Sequence, residues 1–191
     1  MNEGDRALNP VSRAQSGDIE AFEMLVEQHA TQLYRLASGI VGVSDAYDIT
    51  QDTFTAAWRQ LPKLRDPERF TPWLRRICVN RCRTHLHANR SAPISLEAGG
   101  AEQMPGRGDF RDAVHAREIV GPAFRGMTAD HRSILALHYG LGLSISEAAD
   151  AMDVRVGTAK SRLNAALRAM RTVLERGPGD RALVDEKAVS Q

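Results

Sequence analysis

Between Leu143 and Arg171 the sequence LSISEAADAMDVRVGTAKSRLNAALRAMR leaves little choice of local structure. Ser144-Ile-Ser-Glu147 has capping-box spacing, in which the serine hydroxyl and the glutamate carboxylate each take up one unpaired amide at a helix start. It opens a short helix, Ile145 to Met152. Asp153, Val154 and Arg155 then form a tight turn. Val156, Ala159, Leu163, Leu167, Met170 and Leu174 recur at a helical period and mark a long final helix. A short capped helix, a three-residue turn and a longer basic helix make a helix-turn-helix, whose second helix can enter a DNA major groove. That core stripe leaves Thr158, Ser161, Arg162 and Ala165 outward, with Arg155, Lys160 and Arg168 at the flanks. Arginine reads guanine edges bidentately, while Thr, Ser and Lys more often fix phosphates. Arg155, Thr158, Lys160, Ser161 and Arg162 are therefore the expected duplex-reading residues. A basic amphipathic hairpin in a bundle would share the pattern, but no acid lies between Arg155 and Glu175.

The rest of the chain reads as helix too. Residues 22, 25, 26, 29, 33, 36, 37 and 40 follow one helical stripe after Asp18 as N-cap, ended by Gly39 and Gly42. A second helix, 45–61, turns Ala46, Ile49, Thr53, Ala57 and Leu61 inward. After a loop, LPKLRDPERF, Thr71 as N-cap and Pro72 at the first position open a third helix to about Arg90. Residues 91–111 are rich in Gly, Pro, Ala and Ser and aperiodic, a flexible linker. A second module resumes near Asp112, where Pro122 breaks or kinks the first helix. Thr128 caps a helix carrying Ile134, Leu135, His138 and Leu141 that stops near Gly142. No segment alternates as a strand does. The expected fold is all-α: two small helical modules, 12–90 and 112–176, joined by the linker and followed by a tail, 177–191.

Composition excludes other classes. With 42% hydrophobic residues the chain can pack cores, and 5% aromatic content argues against a β-sandwich or barrel. No apolar run approaches the ~18 residues of a membrane span, and the first ten residues carry no secretory signal, so a cytoplasmic protein without membrane insertion is expected. The net charge of +1 conceals segregation. Residues 1–61 hold 4 basic and 9 acidic residues, net −5; residues 71–90 hold 5 basic and none acidic; residues 155–176 hold 6 basic and 1 acidic, net +5. Charge separated this way suits separate partners, although solvated helix faces produce it as well.

On the third helix, with Leu74, Ile77, Cys78, Cys82, His85 and Leu86 inward, the opposite stripe is Trp73, Arg76, Asn80, Arg83, His87 and Arg90. An aromatic beside arginines and an amide suits a strand whose bases are unstacked: the ring stacks, arginine holds phosphate, and the amide bonds a base edge. A plain basic face with Trp73 tucked under the preceding loop would look the same. Asp45, Asp48 and Asp52 share a face of the second helix without a basic partner at i+4; a basic protein partner would account for that cost, although solvated faces of this kind are common. Cys78, Cys82, His85 and His87 do not read as a zinc site, because His87 points elsewhere and structural zinc gathers ligands from two elements. Buried core thiols are expected instead, with no metal or other cofactor. No nucleophile elbow, HExxH, Walker loop or paired carboxylates mark an enzyme.

Four segments, DIEAFEMLVEQHATQLYRLA, DAYDITQDTFTAAWRQL, FTPWLRRICVNRCRTHL and LSISEAADAMDVRVGTAKSRLNAALRAMR, resemble in order the regions of extracytoplasmic-function (ECF) sigma factors of bacterial RNA polymerase. The resemblance covers about 12–90 and 112–175. It implies a first module that docks on the β′ clamp coiled coil through Asp48, Gln51, Asp52, Phe54 and Trp58. The same module would melt the −10 element through Trp73, Arg76, Asn80, Arg83 and His87. The second module would read the −35 duplex from the helix beginning near Val156 and touch the β flap. The resemblance also implies control by an anti-sigma factor. This chain departs from the family in having Arg155 where proline often opens the recognition helix, and a less basic HLHANR at the end of the third helix. A stand-alone helix-turn-helix regulator is the competing reading. It would need a sensor or dimerisation domain before residue 90, where neither a βαβ pattern nor a heptad seam is found; an interaction adaptor with incidental basic faces is a third.

Overall fold

The structure is a computed structural model that describes residues 9–88 and 126–175, with side chains as far as 172. The expected linker at 91–111, Arg90, the Pro122 kink and the tail 177–191 lie outside the described residues.

Every described element is helical. Helix α1 (Pro10–Gln15) is capped by Asn9, whose side chain accepts from the Val11 amide, with Pro10 at the first position. It was not anticipated, although Asn-Pro is a helix-start signal. Arg13 donates to Asp18 at 2.9 Å, and the Gln15 amide donates to the Leu61 and Leu64 carbonyls at 3.2 and 2.6 Å, so α1 fastens a later loop to the bundle.

Helix α2 (Ile19–Val41) starts at Asp18 as expected, the carboxylate accepting from the Ala21 amide. Gly42 ends it at φ 98°, a conformation costly for residues with a side chain. Gly39 does not end it. It lies inside the helix, where an added Cβ would come within 3.0 Å of the Ala136 Cβ.

Helix α3 (Val43–Gln60) buries Ala46, Ile49, Thr53 and Ala57 as its period requires. Thr50 and Thr53 remain satisfied by donating to the Ala46 and Ile49 carbonyls, both at 2.7 Å. The following loop contains two single 3-10 turns, Leu61–Lys63 and Pro67–Arg69. Helix α4 (Phe70–Ala88) begins two residues earlier than expected, so Thr71 lies in its first turn and is not the cap, and Pro72 is its third residue. Proline is tolerated there because its missing amide has no intrahelical acceptor.

In the second module Thr128 caps α5 (Ala129–Leu135), which passes into one turn of π-helix, Ala136–Gly140. Helix α6 (Ile145–Met152) has the full capping box, with both reciprocal bonds formed. Asp153 follows in the left-handed conformation, and α7 (Val156–Glu175) completes the helix-turn-helix.

One apolar core runs through both modules. Leu33, Leu36, Ile40, Leu74, Ile134, Leu137 and Met152 are among its fully buried side chains. Each such residue contributes on the order of 2 kcal/mol by leaving water. Helix α2 packs on α5 and the π turn, and α4 packs on α5 and α6, so the modules share a wall. Across it the Arg132 guanidinium donates to the Ile40 carbonyl at 3.2 Å.

Candidate nucleic-acid interface

The buried side of α4 is formed by Phe70, Leu74, Cys78, Val79 and Cys82. Cys78 and Cys82 are fully buried thiols, as the sequence suggested. The hydrogen bond with Cys78, followed by burial, pushes the Cys82 thiol far above its ordinary range. His85 leaves this face to meet Asp45, Nε2 to Oδ2 2.9 Å, and His87 is exposed. Val79, absent from the expected stripe, is fully buried, while Ile77, His85 and Leu86 are only partly so.

The outer stripe of α4 is divided. Asn80 and His87 are open to solvent. Trp73 is half-buried, its ring centroid 5.9 Å from that of Phe70, and it packs against the core near the loop. Arg76 is ion-paired with Asp153, at the turn of the helix-turn-helix. Arg83 meets Asp130 at 2.6 Å and also donates to the Met152 carbonyl at 3.3 Å. Two of the basic residues expected to face nucleic acid therefore face the second module.

The recognition helix is rotated from expectation. Ala159 and Ala166 are fully buried, whereas Val156 and Leu167, expected inside, are 42% and 38% exposed. The buried edge passes through Arg162, which pairs with Asp130 at 2.9 Å and is not an outward residue as the stripe had it. Ala159, Leu163 and Met170 pack on the core as expected, and Ala166 and Ala169 join them where Val156 and Leu167 had been placed, so leaving out those two alanines put the stripe off-centre. Ser161, Lys160, Arg155 and Arg168 are exposed, and Thr158 and Ala165 are partly buried.

On α3, Asp48, Gln51 and Asp52 lie together in solvent, with Gln51 donating to the Tyr47 hydroxyl at 2.8 Å. Tyr47 is 61% exposed beside them and was not singled out in the sequence. Phe54, assigned by resemblance to polymerase contact, is instead 9% exposed, edge-on to Phe22 at 6.4 Å. The Trp58 ring lies tilted against the same ring, centroids 4.8 Å apart, and is half-buried. These two aromatics hold α3 against α2, leaving the polar residues as its open surface.

Fold and surface define a class: a two-module helical protein whose second module is a helix-turn-helix and whose first presents a basic aromatic helix. Comparison with known proteins makes this specific. Residues 25–92 match the family model for sigma-70 region 2 and residues 118–170 that for sigma-70 region 4. The ECF RNA polymerase sigma-E factor of Escherichia coli (strain K12) is 32% identical over 164 residues, covering 80% of this chain and 86% of that protein. That of Haemophilus influenzae is 30% identical over 170 residues, 83% of this chain and 89% of the relative. Among solved structures, CnrH in complex with the cytosolic domain of CnrY superposes with TM-score 0.64 at 27% identity, covering 87% of this chain and 95% of that one. The sigma factor RpoE of Bartonella quintana, in complex with the anti-sigma factor NepR, shares the fold with TM-score 0.62 at 20% identity, covering 82% of this chain and 98% of its own. The chain belongs to the ECF RNA polymerase sigma factor family. None of its described helices is long and apolar enough to cross a membrane.

Proposed function

We propose that this chain binds core RNA polymerase and directs promoter-specific initiation from the cytoplasm, without catalytic chemistry of its own. The observation that carries the reading is the likeness to ECF sigma factors across both modules in order, on a chain whose helix-turn-helix opens with a complete capping box. The work divides between 12–90 and 112–176. The exposed Asp48, Gln51 and Asp52 of α3 offer an acidic face to the β′ clamp coiled coil, with Trp58 at its edge. Trp73, Arg76, Asn80, Arg83 and His87 handle the melted −10 strand, where contacts to unstacked bases offset the few kcal/mol that unstacking costs. Arg155, Thr158, Lys160, Ser161 and Arg162 serve the −35 duplex, the second module also meeting the β flap. Control by an anti-sigma factor belongs to the same reading: the neighbour RpoE is in complex with the anti-sigma factor NepR, and CnrH, at 27% identity, with the cytosolic domain of CnrY.

The test is transcription from a promoter library with core polymerase and the purified full chain. Starts at defined sites downstream of a shared pair of motifs, absent with core alone, are expected. Site-selective duplex binding without any binding to core would favour the stand-alone regulator instead. Asn80→Ala and Lys160→Ala separate the two readers, because neither residue makes an ion pair among the described residues. Loss of a base-edge contact at Asn80 is expected to cost about 1–3 kcal/mol at one promoter position. Loss of a phosphate contact at Lys160 should weaken all promoters alike.

A further inference from the structure

Helix α1 is short, yet it is anchored twice. Val11 and Ala14 are buried in the core, and the Arg13 guanidinium pairs with Asp18, the cap of α2, at 2.7 Å. Its last residue, Gln15, reaches elsewhere. The side-chain Nε2 donates to the Leu61 carbonyl at 3.2 Å and to the Leu64 carbonyl at 2.6 Å. Those carbonyls bracket the 3-10 turn Leu61–Lys63, whose own closing bond runs from the Leu64 amide to the Leu61 carbonyl. Leu64 is extended, at φ −69° and ψ 112°, so its carbonyl lies outside any helical ladder and takes its donor from Gln15. Glutamine suits the task because its amide nitrogen carries two hydrogens, one for each acceptor. Asn9, the cap of α1, adds a longer contact, its amide donating to the Glu68 carboxylate at 3.4 Å. One six-residue helix therefore holds the loop 61–69 at its start and near its end.

That loop leads directly into the basic aromatic face of α4. Lys63, Arg65 and Arg69 are exposed on it, Arg69 reaching Asp150 of α6 at 3.3 Å. Leu64 and Arg69 line one cleft with Pro72, Trp73 and Arg76 of α4, its far wall belonging to the second module. The groups assigned to the unstacked strand thus continue from α4 onto the loop, and the place of Leu64 fixes the edge of that surface. An irregular segment of this kind holds a binding geometry only as well as its supports do. We propose that Gln15 is a positioning residue for the −10 reader: its amide sets the loop 61–69 against Trp73, so that bases leaving the stack meet a preformed edge. This role rests on the functional reading above, in which α4 meets the melted strand. Gln15 acts through the loop and not on the DNA. It is half-buried, with its amide turned to the two carbonyls. Preformed contacts spare the strand the entropy of ordering the loop.

Two variants of the full chain separate a donor from a space-filling side chain. Gln15→Glu keeps the size and shape but places an acceptor against two acceptors, whereas Gln15→Lys keeps donors on a stem of similar reach. Both are compared with the parent in transcription with core polymerase, on promoters carrying single-base changes in either motif. Discrimination, the ratio of initiation on the unchanged promoter to that on the changed one, is read separately for the −10 and −35 motifs. Gln15→Glu should lower −10 discrimination about fivefold, the equivalent of one net hydrogen bond, and leave −35 discrimination alone. Gln15→Lys should restore it. A smaller folded fraction would scale every promoter alike and move neither ratio. Hydrogen exchange across 61–69 is measured on the same proteins, and the Leu64 amide should exchange faster in Gln15→Glu only. Unchanged exchange in Gln15→Glu would overturn the brace. Faster exchange with intact −10 discrimination, or equal loss at both motifs, would overturn the positioning role. If the parent itself selects no start sites with core, the functional reading fails, and faster exchange in Gln15→Glu would still establish the brace.

Discussion

His29 lies half-buried on α2, its ring 5.5 Å from that of Phe70. Burial, with a smaller push from the Arg75 cation, lowers its pKa from the ordinary 6.5. The unfolded chain therefore takes up this proton first as pH falls, so the stability His29 contributes is complete above about 6.5 and declines below it. Asp18 and Glu147 act in the same direction at lower pH. Asp18 is held below the usual carboxylate range mainly by the Ala21 amide, and Glu147 mainly by the Ser144 hydroxyl. What they add is present at neutral pH and lost as pH falls through that range. The urea midpoint should be lower at about pH 5.5 than at 7.5, and His29→Phe should flatten that difference; an unchanged slope in the variant would place the titration elsewhere. The cysteines give a second prediction. With Cys82 shifted upward and both thiols buried, neither should react with a disulfide reagent in the native protein, and both should react in urea.

At the level of elements, caps were the most legible feature and helix rotation the least. A cap is a local event, one side chain and one amide a few residues apart, so Asp18, Thr128 and Ser144 could be read directly. Ser144→Ala should cost about 1 kcal/mol in chemical denaturation, with weaker duplex binding because α6 sets the entry of α7. Rotation is decided by the neighbour. Ala166 is fully buried where α7 packs on α5 and α6, and nothing within α7 announces that closeness. For the same reason Arg162 reads as an outward base until Asp130 is placed beside it. Gly39 is the converse case: read locally it ends a helix, but it is present because another backbone passes within reach. Phe54 and Trp58 pack toward Phe22, a contact that a family position alone does not announce.

At the scale of the molecule, the segregated charge was visible in the sequence but its closure was not. The acidic cluster on α3 attracted notice, whereas Asp130, Asp150 and Asp153 are scattered singly through the second module and become a set only when α5 and α6 lie on α4. Their presence alters how salt should act on DNA binding. Ordinarily each phosphate contact releases counterions, and affinity for a single strand falls with a log–log slope of roughly −0.7 per contact. In the closed chain, strand binding also returns three carboxylates to solvent, where they gather counterions of their own. Salt simultaneously screens the ion pairs that keep the modules together. Both effects oppose the usual loss, so the parent should show a shallower slope than an Asp130→Asn/Asp150→Asn/Asp153→Asn variant, and the two affinities should converge as salt rises. The comparison is a titration of one labelled single strand at several salt concentrations. Parallel lines would mean that the carboxylates are not displaced by DNA, and the arginines of α4 would then be free to bind it in either arrangement of the modules.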